Sequence, residues 1–296
     1  MINSMIRLIY LAYMVCLLLC SCNTHSNRVY FTIDPEDRKI VLPVQIDDSI
    51  TARLAFDSGA TIGALVLDST FLLKNPMLFD VDSLVKSGFS GSAWGEYYVP
   101  SSCYKATPDV KVGNKNLVYS RAIVFDWKKY FSTSDSEGMF NIPENDTIHV
   151  WELNFEDNYM EIHSAQNFRL PDDCFEIPMV NVKKYPNPFI IKFPIKVKCN
   201  NGDTLTLDHA FLIDTGMPSD IALIRRDGDE EYNFFNDRKE AVWTSDLSHY
   251  HRYCTVDATL FDKMNIDSLR IYTFDYPNNV IYDYLIGLNF LKRFNV

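Results

Sequence analysis

Short runs of apolar residues, often alternating with polar ones, recur along the chain and are separated by polar turns. Residues 42–46 form one such run, a polar turn follows at 47–49, and a second apolar run ends at Phe56. This order is typical of paired β-strands. Few stretches show the longer period of a helix, so the pattern predicts a mostly β protein with short helices.

The same pattern occurs a second time. Residues 193–197 match residues 42–46, a polar turn follows at 200–203, and the next apolar run ends at Ile213. Each second run leads directly into an Asp-[Ser/Thr]-Gly sequence, Asp57-Ser58-Gly59 in the first copy and Asp214-Thr215-Gly216 in the second. This internal repeat predicts two lobes built on one plan.

Both copies then pass through short strand-like segments to an apolar pair, Met139-Phe140 before Asn141 and Leu285-Ile286 before Gly287. Residues 166–188, between the copies, are rich in Pro and Asp, which is typical of a connecting segment. We therefore expect an N-terminal lobe at residues 29–170 and a C-terminal lobe at residues 171–296.

The two Asp-[Ser/Thr]-Gly turns, each closing an apolar strand and each followed by an apolar pair, resemble those of the pepsin and retropepsin aspartic proteases. The resemblance covers nearly the whole chain after the N-terminal segment. It implies an all-β, bilobal acid-protease fold, in which two duplicated β-barrel-like lobes enclose a cleft. It also implies endopeptidase activity without a cofactor.

The resemblance assigns a role to each turn residue. Asp57 and Asp214 would be the catalytic pair, with one carboxylate taking a proton from water while the other carboxyl donates one. Two carboxyls this close cannot both ionise, so they share a proton. Dyad support is expected from two hydroxyls that bond across to the opposite turn and from two glycines that allow close approach, which are Ser58, Gly59, Thr215 and Gly216.

A mobile cover over the cleft is the other part that the resemblance implies. Residues 86–98 have a Gly- and Ser-rich centre and resemble a flap hairpin, with Phe89 or Trp94 as the aromatic residue over the pair. A plain solvent-exposed hairpin accounts for the same residues, because glycine-rich hairpins are common.

Three features depart from the family pattern. Met217 follows Gly216 where a small or hydroxyl residue is usual, and Pro218 removes one backbone donor. Asn141 occupies the position of a glycine that normally allows close approach. In the second copy, residues 291–296 end where the first copy continues into a hairpin at 150–162, so we expect that the second lobe lacks this closing pair of strands or that the sequence is truncated.

The N-terminus has the layout of a secretory signal peptide, with Arg7 before an apolar run at residues 8–20. The end of this segment resembles a bacterial lipobox with Cys22 as the lipid acceptor, and Cys20 fits less well. We expect a lipoprotein signal peptide at residues 1–21 and a lipidated tether at 22–28. A simply cleaved or buried cysteine is the alternative.

The net charge and the cysteine spacing argue against some classes of ligand. Removal of residues 1–21 takes away Arg7 and no acidic residue, so the net charge of −11 becomes −12, which argues against nucleic acid. Four further cysteines, Cys103, Cys174, Cys199 and Cys254, have no metal-type spacing, and their disulfide pairing stays open. No metal site is predicted, because His249 and His251 have no third ligand nearby.

Two functions follow. The first is a lipid-anchored aspartic endopeptidase of the bacterial cell envelope. Its default location is the outer membrane, with the protein facing the periplasm. Its expected partners are a peptide or protein substrate and the membrane, and the chain is expected to be a monomer with pseudo-twofold symmetry. The second is a catalytically inactive lipoprotein of the same fold that binds peptides or other extended ligands in the cleft.

Overall fold

The computed structural model describes residues 27–35, 38–60, 63–92, 95–105, 107–130, 135–143, 146–172, 174–180, 189–199, 201–224, 230–236, 241–244, 250–274 and 284–296. The expected signal peptide, Cys22, most of the tether and Trp94 lie outside these residues. Within them, no helix has the length and hydropathy needed to cross a membrane.

Strands make up most of the described structure. In chain order they are β1 Val29–Tyr30, β2 Thr32–Ile33, β3 Ile40–Ile46, β4 Ile50–Phe56, β5 Ala64–Asp68, β6 Leu84–Ser92, β7 Gly95–Tyr104, β8 Val110–Val112, β9 Lys115–Leu117, β10 Arg121–Phe125, β11 Gly138–Phe140, β12 His149–Asn154, β13 Tyr159–Ser164, β14 Ile190–Lys192, β15 Ile195–Cys199, β16 Thr204–Leu207, β17 Ala210–Asp214, β18 Ile221–Ile224, β19 Ala241–Thr244, β20 Tyr250–Leu260, β21 Met264–Phe274 and β22 Tyr284–Gly287.

The helices are short. The described residues contain α1 Ser69–Lys74, α2 Trp127–Tyr130, α3 Glu230–Asn236 and α4 Leu288–Leu291, with 3-10 turns at Pro76–Leu78 and Val81–Ser83. Asp68 caps α1, because its buried carboxylate accepts the backbone N–H of Thr70 at 2.8 Å and that of Lys128 at 3.2 Å. Burial raises the pKa of Asp68, but hydrogen bonds from the Thr70 hydroxyl and from backbone N–H groups outweigh it and leave the pKa below its usual value. The prediction of a mostly β protein with short helices is confirmed.

Each copy of the repeat forms one large sheet. The first is a 10-stranded sheet built from β2 to β11, and the second is a 9-stranded sheet built from β14 to β22. The two sheets share one unusual order, because the last strand of each lies between two earlier ones, as β5-β11-β4 and as β18-β22-β17. In both sheets this inserted strand runs parallel to the strand that precedes the Asp turn. The internal repeat is therefore present in the topology.

Alternation of apolar residues along these strands produces a separate core in each sheet. The first core contains Ile40, Leu42, Val44 and Phe56, all at most 1% exposed, and the second contains Ile195, Phe211 and Ile286, which are fully buried. Residues facing the same side of a strand recur every second position, so one face of each sheet packs inward. The first sheet ends at Phe140 and the second begins at Ile190, while the division near residue 170 stays a prediction.

A third, 3-stranded sheet of order β1-β13-β12 completes the fold. The chain end adds to it, because Val296 donates its N–H to the carbonyl of Leu153 at 2.9 Å and accepts the N–H of Leu153 in return. Asn295 accepts the N–H of Phe155 through its side-chain oxygen at 3.0 Å. The end of the second copy is thereby attached to the hairpin that closes the first.

Candidate active site

The two Asp turns lie at equivalent positions of the two sheets. Asp57 directly follows β4, and Asp214 is the last residue of β17. Each of these strands lies beside the inserted strand of its sheet, and Asp57 donates its N–H to the carbonyl of Phe140 in β11 at 3.1 Å. Each acidic residue therefore lies at the end of a strand that has a neighbouring strand on both sides.

Ser58 and Thr215 connect the two turns by four hydrogen bonds. The N–H of Ser58 donates to Oγ1 of Thr215 at 2.9 Å, and the N–H of Thr215 donates to Oγ of Ser58 at 3.1 Å. Each hydroxyl then donates onward across the boundary, Ser58 to the carbonyl of Ile213 at 2.9 Å and Thr215 to that of Phe56 at 3.1 Å. Both residues are buried, so the network fixes one turn against the other.

Gly59 and Gly216 each face the carboxyl group of the opposite turn. A Cβ atom on Gly59 would overlap the carboxyl carbon of Asp214 and lie 2.6 Å and 2.8 Å from its oxygens. A Cβ atom on Gly216 would overlap the carboxyl group of Asp57 in the same way. Only glycine permits this approach, and the reciprocal contacts bring the two carboxyl groups together at the symmetry axis of the repeat.

The two carboxyl groups are held by unequal numbers of backbone donors. Oδ1 of Asp57 accepts the N–H groups of Gly59 at 2.9 Å and Ala60 at 3.0 Å. Among the described residues, Oδ1 of Asp214 accepts one backbone N–H, that of Gly216 at 2.9 Å, and the N–H of Met217 donates to the backbone carbonyl of Asp214 at 3.3 Å. Asp57 is therefore the better site for a negative charge.

The pKa directions agree with this asymmetry. Burial raises the pKa of Asp57, and the charge of Lys39 and the N–H groups of Ala60 and Gly59 oppose the increase. Burial and the neighbouring charge of Asp57 raise the pKa of Asp214 well above its usual value. Both carboxyls therefore have raised pKa values, with the stronger increase at Asp214, as expected where two buried carboxyls share one proton.

Met217 points away from the pair. Its side chain is 2% exposed and packs in a small cluster with Ile190, Leu212 and Tyr272 beneath the turn. The N–H groups that bond Asp214 come from Gly216 and Met217, which both precede Pro218. The missing N–H of Pro218 therefore removes no bond to the carboxyl group. The long side chain after Gly216 therefore belongs to the core of the C-terminal lobe.

Asn141 replaces the expected glycine with a hydrogen bond. It is buried, its Nδ2 donates to the carbonyl of Ala60 at 2.8 Å, and its own carbonyl accepts the hydroxyl of Tyr119 at 2.6 Å. Its Oδ1 has no partner among the described residues. The side chain thus fills the space between the inserted strand and the Asp57 turn and binds that turn directly.

The C-terminal lobe makes the equivalent contact differently. A Cβ atom on Gly287 would overlap the carbonyl of Ser219 and lie 2.7 Å from that of Met217, so close backbone approach replaces the side chain. Two residues later, Nδ2 of Asn289 donates to the carbonyl of Pro218 at 2.7 Å. Each Asp turn is therefore bound by one Asn amide, which comes from a different position in each copy.

The expected flap forms an antiparallel hairpin of β6 and β7, in which Phe89 lies opposite Val99. Trp94 lies outside the described residues, and the roles of Phe89 and Trp94 at a flap tip stay predictions.

The sequence did not predict three residues that lie around the Asp turns, which are Lys39, Tyr119 and Asn289. Counting back along the hairpin from Asp57 places Lys39 opposite it, whereas nothing in the sequence indicates the contacts of Tyr119 and Asn289.

Cysteines and possible metal ligands lie away from the pair. Cys103, Cys174, Cys199 and Cys254 form no disulfide with one another, and the last two are buried. Among the described residues, one group with metal-type spacing occurs, Glu152, Glu161 and His163 on the hairpin of β12 and β13. These side chains already pair with one another and with neighbours, through His163 to Glu152 at 2.7 Å and Arg28 to Glu161 at 3.3 Å.

Comparisons with known proteins find similarity at the level of structure. No protein-family profile matches the chain. No curated protein sequence matches it either. The solved structures that resemble it include the aspartic proteinase from Irpex lacteus, with a TM-score of 0.51 and 12% identity over 90% of this chain and 92% of that one.

Basic 7S globulin from soybean also matches, with a TM-score of 0.45 and 8% identity over 89% of each chain. At 12% identity, the likeness to the Irpex lacteus enzyme concerns the fold alone. The chain has the all-β, bilobal fold of the pepsin-like aspartic proteinases, as the resemblance in the sequence implied.

Proposed function

We propose that the protein is an aspartic endopeptidase in which Asp57 and Asp214 activate water between the two lobes. The observation that carries the proposal is the reciprocal contact of the turns, in which each glycine faces the carboxyl group of the other turn. Two carboxyls held this way share a proton, so that one acts as base and the other as acid.

The unequal donor sets assign the two roles. Asp57, with two N–H donors, is the carboxylate that takes a proton from the attacking water. Asp214, whose pKa is raised by burial and by Asp57, carries the proton that passes to the carbonyl oxygen of the scissile bond. The rigid network of Ser58 and Thr215 keeps this geometry through the reaction.

The proposal is tested with residues 23–296, which retain every described residue. The purified protein is incubated with a diverse peptide library between about pH 3 and 7, and the products are identified by mass spectrometry. We expect cleavage by the wild type and none by Asp57→Asn or Asp214→Asn. If the wild type cuts nothing at any pH while both variants bind the same ligands equally well, the inactive, ligand-binding function replaces this one.

We also propose that the protein is anchored to the bacterial cell envelope through a lipid on Cys22. Support comes from the signal-peptide layout of residues 1–21 and from the polar segment that links Cys22 to β1. The test is Cys22→Ser, which should move the protein from the membrane to the soluble fraction. A variant that stays with the membrane would exclude the lipid anchor.

A further inference from the structure

Lys39 lies beside Asp57 in the strand pair that leads to the first Asp turn. Strands β3 and β4 pair in antiparallel register with Ile40 opposite Phe56, so Lys39 and Asp57 are the next residues outward on the two strands. Because side chains alternate, these two lie on the face opposite to Ile40 and Phe56, which both belong to the main core. Residues directly opposite in such a pair have Cβ atoms about 5 Å apart.

Contacts on that face hold Lys39 in place. Its Nζ lies 5.4 Å from the ring centroid of Trp127, which is 1% exposed and donates its indole N–H to Ser136 at 3.0 Å. The backbone carbonyl of Lys39 accepts the N–H of Asp34 at 2.9 Å. A half-buried ammonium group that rests on a fixed indole ring has a defined position.

The charge of Lys39 acts on both members of the pair. Burial raises the pKa of Asp57, and Lys39 is the largest influence that lowers it. Burial, followed by the charge of Asp57, raises the pKa of Asp214, and Lys39 again opposes the increase. Arg38, beside it in the chain, and Asp34, across the loop, are two charged residues close to Lys39.

We propose that Lys39 is a positioning residue of the Asp57–Asp214 pair, whose ammonium group stabilises the single negative charge that the two carboxyls share. This inference rests on the proposed function, because it names the group that regulates the same site. Asp214 receives one backbone N–H where Asp57 receives two, so the pair has few donors for its charge. A neighbouring cation compensates for the burial that would otherwise keep both carboxyls protonated in acid.

The inference is tested by titrating the carboxyl groups directly. Residues 23–296 are prepared with ¹³C-labelled aspartate, and the carboxyl resonances of Asp57 and Asp214 are followed from pH 3 to 8, with Asp57→Asn and Asp214→Asn giving the assignments. In Lys39→Met we expect both ionisation steps to move to higher pH by about half a unit or more. Lys39→Arg, which keeps the charge, should titrate like the wild type.

Lys111→Met is the matched control. Lys111 pairs with Asp48 at 2.7 Å at the far end of β3, about 20 Å from Lys39, so this variant removes an equal charge without changing the pair. Lys39→Gln is a second neutral variant, and near-UV circular dichroism checks that each protein is folded. Unchanged ionisation in both neutral Lys39 variants, or an equal change in Lys111→Met, would overturn the inference.

The titration separates this inference from the proposed function. If the wild type cleaves peptides but its carboxyls do not respond to Lys39, the role of Lys39 is wrong and the protease stands. If the carboxyls respond and no peptide is cleaved, Lys39 is confirmed as the neighbour of the pair and the protease is wrong. Where peptides are cleaved, the whole pH–rate profile of Lys39→Met should move to higher pH together with the titration.

Discussion

At the residue scale, the two acidic residues at the centre of the molecule differ in their surroundings. Asp57 keeps partial exposure to solvent and accepts two N–H groups, whereas Asp214 is 6% exposed and accepts one. The repeat places equivalent turns in both lobes, but the N–H of Ala60 bonds both the carboxyl group and the backbone carbonyl of Asp57, whereas that of Met217 bonds the backbone carbonyl of Asp214. A symmetric sequence motif therefore produces an asymmetric pair of carboxyl groups.

This asymmetry predicts a pH-dependent gain of stability in Asp214→Asn. Because burial and the charge of Asp57 raise the pKa of Asp214 in the folded state, its contribution to stability is complete below the unfolded value of about 3.9 and is lost as the pH rises through the folded value. Asn does not titrate. The free energy of unfolding of the variant should therefore increase relative to the wild type between pH 3 and pH 7.

The measurement is guanidinium unfolding of both proteins at the two pH values. Asp172→Asn, which changes an exposed carboxyl, is the control and should show little dependence of this kind. An unfolding free-energy difference between Asp214→Asn and the wild type that stays constant with pH would contradict the assignment of the proton to Asp214.

Met217 supports a second prediction at this scale. Its buried side chain packs under the turn, so Met217→Ala should lower the free energy of unfolding by about 2–5 kcal/mol. The turnover number of the folded fraction should change little, because the side chain does not face the carboxyls. Met77→Ala, at a side chain that is 94% exposed, is the control for methionine loss. A stable Met217→Ala with strongly reduced turnover would place the side chain in the active site instead.

Sequence reasoning identified the turn residues of the site but not their surroundings. Asp57, Ser58, Gly59, Asp214, Thr215 and Gly216 follow from a local motif that occurs twice, and the structure brings all six together. The direction of the Met217 side chain depends on packing against Ile190 and Tyr272, which are distant in sequence. Local pattern does not contain that information.

At the element scale, the inserted strands β11 and β22 approach the Asp turns in two ways. Asn141, after β11, reaches the turn with its side chain, whereas Gly287, at the end of β22, allows the backbone itself to approach. The hairpins that lead to each turn were predictable because their strands are neighbours in sequence. The insertion of β11 and β22 between strands that come earlier in the chain was not predictable, because this pairing joins segments that are far apart in sequence.

Exchanging these two residues gives an unequal result. Gly287→Asn places a side chain where the carbonyls of Met217 and Ser219 leave no room, so it should displace the Asp214 turn and abolish activity. Asn141→Gly removes one hydrogen bond to Ala60 and an oxygen without a partner, and should cost about 1–2 kcal/mol while leaving measurable turnover. Activity assays and thermal unfolding of both variants check this, and equal losses in the two would contradict it.

At the scale of the whole molecule, the site exists only where the two lobes meet. The four bonds of Ser58 and Thr215 cross the boundary, and each carboxyl lies over a glycine of the other lobe. The pairing of Val296 with Leu153 and of Asn295 with Phe155 joins the same two halves at a second place. One chain therefore contains both halves of the site, while the expectation of a monomer stays a prediction.

Peptide cleavage by mixed variants tests this account most directly. Wild type, Asp57→Asn, Asp214→Asn and an equimolar mixture of the two variants are assayed on one cleaved peptide across the pH range. We predict a bell-shaped profile for the wild type and no cleavage by either variant or by the mixture, since each chain then lacks one carboxyl of its own pair. Cleavage by either variant alone, or restored cleavage in the mixture, would contradict a site formed by Asp57 and Asp214 of one chain.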